Sequence, residues 1–524
     1  MIRIRDISLS PEHDTNQLLY EAAKLLKISG SKIRKLTIAR RSIDARKKPD
    51  VRIIYTVDVA VDGSEQKILR QSGCKKASIP KKDRYKVPKA VSEDRPVVVG
   101  FGPAGMFAAL VLALAGLRPI VLERGEDAKT RHEKVSHFFA TGKLDTKSNV
   151  QFGEGGAGTF SDGKLNTGVN NIRIGWILEQ FVKAGASEDI LFDAKPHIGT
   201  DVLLEVVQNI RQRIISLGGE VRFNTQVTGI CAENGVLTGL ETNNGQIPCT
   251  NAIFAIGHSA RDTFSMLNDL GIAMEPKPFA MGVRIEHKQQ TIDTAQYGSA
   301  ELPLPPADYK LVKHLDNETV YTFCMCPGGY VVAAASEEGG VVTNGMSYAD
   351  RSGENANAAL LVTLNPEDFP FEGVLGGMHW QRQIEQKAFA VSNSYRAPAQ
   401  LVGDFLAGRP STKAGSVTPT YQPGVCWCDL RDVLPHKITD AIATALPQLE
   451  RNLKGFADAD AVLAAPETRS SSPVRILRGE TRMGSIKGFY PAGEGAGYAG
   501  GIMSAAIDGM MSAEALITAI NTEM

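Results

Sequence analysis

Residues 96–125, PVVVGFGPAGMFAALVLALAGLRPIVLERG, constrain the fold more tightly than any other stretch of the chain. Gly100, Gly102 and Gly105 stand in the G-x-G-x-x-G spacing. An apolar strand, Val97 to Val99, precedes them and an Ala- and Leu-rich helix, Met106 to Ala115, follows. At such a turn the backbone must approach a pyrophosphate and also let a helix pack closely on a strand, which only glycine permits. The free amides and positive dipole end of the helix then receive the phosphates. Pro119 to Leu122 predicts a second strand, and Glu123 follows 23 residues after Gly100, placed to accept hydrogen bonds from ribose hydroxyls. The segment predicts a Rossmann-type dinucleotide-binding unit.

With its two flanking strands and the carboxylate at the end of the second, this fingerprint occurs once, which argues against a second, separately docked nicotinamide domain and favours FAD. Three distant glycine-lined corners point the same way. Residues 153–168 are dense in glycine, and the strand Ala252 to Ile256 ends in Gly257-His258. Residues 488–501, GFYPAGEGAGYAGG, predict a strand and glycine loop before a helix from Ile502 to Ile520. A carboxylate in that loop, Glu494, is placed to bind the ribityl chain. The amides near Gly501 and Ile502 are placed to stabilise a reduced, anionic isoalloxazine.

Together these segments resemble the glutathione-reductase-type FAD flavoproteins. Residues 95–524 are most similar to a bacterial family of FAD-dependent dehydrogenases, the NAD(FAD)-utilizing dehydrogenase type, distantly akin to the HI0933-like flavoproteins. The stretches that carry this likeness are GEGGAGTFSDGKLNTG (153–168), HIGTDVL (197–203), KPFAMGVRIEH (277–287), TFCMCPGGYVV (322–332), NGMSYADRSGENANAALLV (344–362) and PAGEGAGYAGGIMSAAIDGM (491–510). The resemblance implies phosphate contacts at Gly102, Pro103, Ala104 and Gly105 beside the turn glycine Gly100, and adenosine-ribose contact at Glu123. It implies further cofactor contacts from Arg124 and Val227, and flavin or pyrophosphate contacts from Gly155, Gly156, Ala157, Gly257, Gly493, Glu494, Gly501 and Ile502. The usual acid of the last loop is Asp; here it is Glu494, one methylene longer.

The predicted fold class is α/β: a discontinuous Rossmann-type FAD-binding domain (95–269 and 470–524), a β-rich α+β substrate domain (270–469) and a small basic α/β module (1–90). Within the module, Leu18, Leu19, Ala22, Leu25 and Leu26 share a helical face, and residues 51–61 alternate as a half-buried strand. A further strand is expected near Arg34 to Ala39, and residues 72–95 read as a linker. Val202 to Leu217 predicts a helix capped by Asp201, and Val221 to Ile230 a single strand. Residues 1–90 carry a net charge of +12 and the remainder −12. The module either binds nucleic acid or pairs with the acidic body.

The expected reaction is hydride transfer between the flavin and a small organic substrate, with NAD(P)H a candidate electron donor. The alternatives are an RNA-directed flavoprotein and a non-catalytic FAD-binding protein. Candidate catalytic residues are His258, which either approaches the cofactor or is an ordinary loop histidine, and Arg475. Arg475, Arg469 and Arg478 either hold an anionic substrate or form ion pairs, and the same choice faces Lys277 and Arg284. The two C-x-C pairs, Cys324/Cys326 and Cys426/Cys428, read as buried thiols rather than a four-thiolate metal centre or a redox pair, so no metal is expected. No Walker A, H-E-x-x-H or G-x-S-x-G motif occurs. Neither a signal peptide nor a membrane span is expected, the longest apolar run being Met106 to Leu117, and seven cysteines without a disulfide pattern suit the cytoplasm.

Overall fold

A computed structural model describes residues 1–14, 16–81 and 84–523. Its centre is a five-stranded parallel sheet in the order Phe489–Pro491, Ala252–Phe254, Val97–Val99, Ile120–Leu122, Glu220–Arg222. All but the outermost strand, Glu220–Arg222, are wholly buried, which accounts for their continuous apolar runs. The helix Pro103–Ala115 is buried on nearly every side because the C-terminal helix Ile502–Glu523 and the helix Thr200–Ser216 both pack against it. Within the C-terminal helix, Ile502–Thr522 is long and apolar enough to cross a membrane, the sole such stretch among the described residues. It is 67% buried inside the protein, and it is not the run that the sequence singles out.

The middle of the chain is built on a seven-stranded sheet whose two central long strands, Phe279–Lys288 and Asn355–Leu364, pair antiparallel along their whole length. Their side chains and the helix His436–Asn452 form a second apolar core. The N-terminal module is a four-stranded sheet with two helices, Asn16–Leu26 and Glu65–Ser72. Tyr55, Val57, Val59 and Val61 enter its core as the alternation requires, but Val51 is buried in the second core instead, and Leu19 is 40% exposed and leaves the expected helical face.

Three local expectations are corrected. Val221 to Ile230 is two strands: Glu220–Arg222 closes the parallel sheet and Val227–Glu233 starts an antiparallel one. Between them Asn224 adopts a φ of 53°, which no continuous strand accommodates. The helix predicted from Val202 begins at Thr200, so Asp201 lies in its first turn and accepts the amide of Ala349 at 2.8 Å instead of capping it. Residues 72–95 are only partly a linker, because Ala77–Ser78 adds an edge strand to the module. Further on, Tyr85 packs edge-on against Trp176 and donates to Glu514 at 2.7 Å.

Candidate functional site

The strand order sets out the site. Across the sheet, the carboxyl ends present Glu123, then Gly100, then Gly257 and His258, then Glu494. Neighbouring strands lie about 4.8 Å apart, so these corners span about 14 Å along one edge, where open α/β sheets bind ligands. A cavity of about 350 Å³ runs along this edge, walled by Gly100, Gly102, Pro103, Ala104, Glu123, Arg124, Gly156, Ala157, Val227, Gly257, His258, Glu494, Gly501 and Ile502. The structure thus brings together residues that lie up to 402 positions apart in the chain.

Gly155 and Gly493 do not line the cavity, and for them the expectation of direct contact is corrected; the Gly105 Cα also stands behind the wall, although its amide is among the unpaired donors of the first helical turn. All three are packing glycines. A Cβ on Gly105 would lie 1.9 Å from the Gly100 carbonyl oxygen, one on Gly155 2.0 Å from Thr159 Oγ1, and one on Gly493 2.7 Å from Ala104 Cβ. At Gly257 and Gly501 a Cβ would meet nothing within 4 Å, so bare backbone faces open space. With the unpaired amides of the first helical turn from Pro103, this wall fits a phosphate-bearing dinucleotide.

At the end nearest Ile120–Leu122, Glu123 is buried and its carboxylate accepts the amides of Phe101 (2.8 Å), Gly125 (2.9 Å) and Gly153 (2.9 Å). It holds three loops of the site together besides facing the cavity. Arg124 lies 4.4 Å over the Phe152 ring and pairs with Asp262. Sequence reasoning missed Arg131, from the helix Ala128–Thr141. Its fully buried guanidinium donates to the carbonyls of Asn149 (2.8 Å), Val150 (2.8 Å), Glu154 (2.7 Å) and Gly156 (2.9 Å), which pins the glycine loop. Burial lowers its pKa to about 10, against the pull of Glu123 and Glu154. Carbonyl partners leave no mark in a sequence, so nothing there pointed to it.

At the opposite end, His258 Nδ1 lies 3.6 Å from Glu494 Oε1. Burial and the nearby Arg469 and Arg261 push His258 down to about 3, which keeps the ring neutral. Its Nε2 has no hydrogen-bond partner in ordinary geometry, the Arg469 carbonyl offering only a marginal contact. Burial pushes Glu494 up to about 7, against the opposing Gly501 amide and the Lys277 charge. Lys277, itself lowered by burial and by Arg475, supplies that charge without lining the cavity.

Arg475 is corrected as a catalytic candidate: it lies outside the cavity wall, half-exposed, paired with Glu275 at 3.1 Å. Arg478 is likewise held by Asp508 at 2.7 Å and stacks 3.7 Å over Tyr498. Arg284 is fully buried against Glu467. Arg469 does line the cavity, but Glu385 neutralises it at 2.9 Å. Beyond Glu494 the cavity wall continues onto Ser161, Asp162 and Lys164, onto Phe323 and Cys324 from the seven-stranded sheet, and onto Asn344 from a separate two-stranded one. Lys164 donates to the Met325 carbonyl, and Asp162 pairs with Arg351 at 2.5 Å. Cys324 and Cys426 stand on strands second and last in that sheet, about 24 Å apart by strand spacing, so their pairs share no centre.

Residues 278–470 match the family described as "FAD-dependent protein, C-terminal domain-like", and residues 1–60 match a domain of unknown function. A protein of Clostridium beijerinckii, described as uncharacterised, is 46% identical over 525 aligned positions, covering 98% of each chain. Among solved structures, the glycine oxidase of Bacillus cereus aligns at 12% identity over 82% of this chain and 98% of its own, with a TM-score of 0.34. The halogenase PltM in complex with FAD aligns at 10% identity over 82% and 71%, with a TM-score of 0.39.

Proposed function

We propose an oxidoreductase, proceeding from the fact that this chain belongs to the same family as the Clostridium beijerinckii protein, a family of FAD-dependent proteins. FAD is the cofactor, and the protein is a flavoprotein. In this reading a small organic substrate exchanges a hydride with the flavin, and NADH or NADPH is the candidate electron donor. The observation that supports it is the extension of the cavity wall beyond Glu494 to Lys164, Phe323 and Asn344. A cofactor that only filled its own groove has no need of such an extension.

When bound, FAD supplies the two-electron chemistry. Gly102 to Ala104 and the helix they open would hold its pyrophosphate, Glu123 and Arg124 its adenosine end, and Glu494 with Gly501 and Ile502 its flavin end. The chain's own residues do the rest. The amides at the start of Ile502–Glu523 oppose negative charge building up nearby. Glu494, pushed up to about 7, holds or releases a proton at its carboxyl near neutrality. His258 stays neutral, with Nδ1 turned toward Glu494. Phe323 and Ile502 add apolar surface to the cavity wall.

The test is anaerobic. The purified protein is expected to be yellow and to bleach with NADH or NADPH, or with a member of a small-acid and small-amine panel. A flavin that only dithionite reduces contradicts the enzyme reading. The charge of residues 1–90 favours a second reading, nucleic-acid binding through that module; a gel shift with total tRNA at low salt that weakens steeply as salt rises is its signature.

A further inference from the structure

The thiols at the cavity's far wall lie outside this account. The strand Thr319–Cys326 loses its register against Asn355–Leu364 between Phe323 and Cys326. At the break Cys324 adopts a φ of 41°, a conformation costly for any residue with a Cβ. Bulges beside active sites re-aim side chains, and this one gives Cys324 a place in the cavity wall. Cys326 is buried behind it; its thiol donates to the Cys324 carbonyl at 3.3 Å and lies near enough to the Cys324 thiol for each to perturb the other's proton. Arg284 donates to the Cys324 carbonyl at 2.9 Å and Lys164 to the Met325 carbonyl, which sets two cations against the pair.

We propose that Cys324 and Cys326 form a dithiol–disulfide couple that exchanges two electrons with the flavin. The Cys324 thiolate and the Cys326 thiol join as a disulfide and give up two electrons and one proton. The oxidised isoalloxazine takes up both electrons and that proton, and the reverse step regenerates the dithiol from the reduced flavin. The couple needs no other oxidant. It rests on bound FAD and not on the hydride-transfer reading.

The electrostatics agree with the geometry. The nearby Cys326 thiol, with Arg284 and Lys164, holds the Cys324 thiol down to about 7, while Glu467 and burial oppose it and Glu494 faces the same thiol. Cys326 is raised well above its ordinary value and keeps its proton. One sulfur is thus the nucleophile and the other the resolving thiol. Burial raises Cys428 and Cys249 to about 12, which makes them inert internal controls.

Iodoacetamide labelling of the apoprotein, mapped by peptide mass, should find Cys324 reacting at least about tenfold faster than Cys428, with a midpoint near pH 7. Anaerobic dithionite titration of the air-oxidised holoprotein should consume four electrons per FAD, and two in Cys324→Ser and Cys326→Ser. The peptide carrying both cysteines should lose two hydrogens in mass after oxidation. A two-electron titration of the wild type, with both thiols still free after diamide treatment, overturns the proposal. So does labelling of Cys324 no faster than Cys428. Should either variant shed FAD, the wild-type mass shift decides alone. Because dithionite bypasses any substrate, the couple and the hydride-transfer reading fail separately.

Discussion

At the scale of single residues, Glu494 and the turn glycines carry the sharpest expectations. Glu494 holds its proton more tightly in the folded apoprotein, at about 7, than in the unfolded chain, at the ordinary 4.5. That stabilisation is complete below the unfolded value and is lost as the pH rises through about 7; its ceiling is about 3 kcal/mol. Glu494→Gln is neutral throughout, so its unfolding free energy should gain on the wild type between about pH 5 and about pH 8. Buried Glu286, also raised to about 7, titrates alike in both proteins and cancels. Urea unfolding of the two apoproteins measures the difference, and parallel pH profiles contradict the assignment. The glycines divide by what lies over them. A Cβ on Gly102 would meet only Gly156 Cα at an ordinary 3.6 Å, so Gly102→Ala should fold within about 1 kcal/mol of wild type yet bind FAD at least about tenfold more weakly. Gly105→Ala drives its methyl into the Gly100 carbonyl and should cost about 3 kcal/mol or more of apoprotein stability. Thermal unfolding of the apoproteins with flavin titration separates the two effects.

At the scale of elements, the structure relies on buried charge. Glu385, on the helix Gly376–Ser392, receives Arg261 at 2.8 Å and Arg469 at 2.9 Å, tying that helix to the segments after two strands of different sheets. Glu385→Ala leaves two guanidinium groups buried with one partner fewer, and should destabilise by about 3–5 kcal/mol in chemical denaturation. Neither this cluster nor Arg131 was legible in the sequence, since an ion pair 84 positions apart, or a guanidinium fed by carbonyls, leaves no local period or spacing. Strand, turn and helix over residues 97–122 were legible because each signal lies within a few residues of the next. Arg475 was misjudged for the converse reason: it adjoins the last glycine loop in sequence, but Glu275, 200 positions away, holds it outside the cavity. The thiol pair was visible as a spacing, yet only the bulge at Cys324 shows which thiol meets the cavity.

At the scale of the whole molecule, the opposite charges of module and body meet at a defined seam. Arg41 grips Asp193 at 2.7 and 2.9 Å, and its backbone exchanges hydrogen bonds with Phe192 and Ala194. The pair is partly exposed, so Arg41→Ala should cost about 1 kcal/mol or less of global stability. Its effect should appear instead as faster proteolytic cutting of the segment that joins module and body, most marked at low salt and fading as salt screens the pair in the wild type. The order of the parallel sheet has a further consequence for how the chain is made. Val97–Val99 emerges from the ribosome early, but its neighbour on one side is Ala252–Phe254, and the strand beyond that is Phe489–Pro491. The helix that seals Pro103–Ala115 comes later still. A nascent chain therefore has a phosphate turn long before it has a groove, and flavin loading is deferred until Phe489–Pro491 and the helix Ile502–Glu523 have been made. Until then only the helix Thr200–Ser216 covers Pro103–Ala115, and the side that the C-terminal helix will seal is a ready ligand for a chaperone.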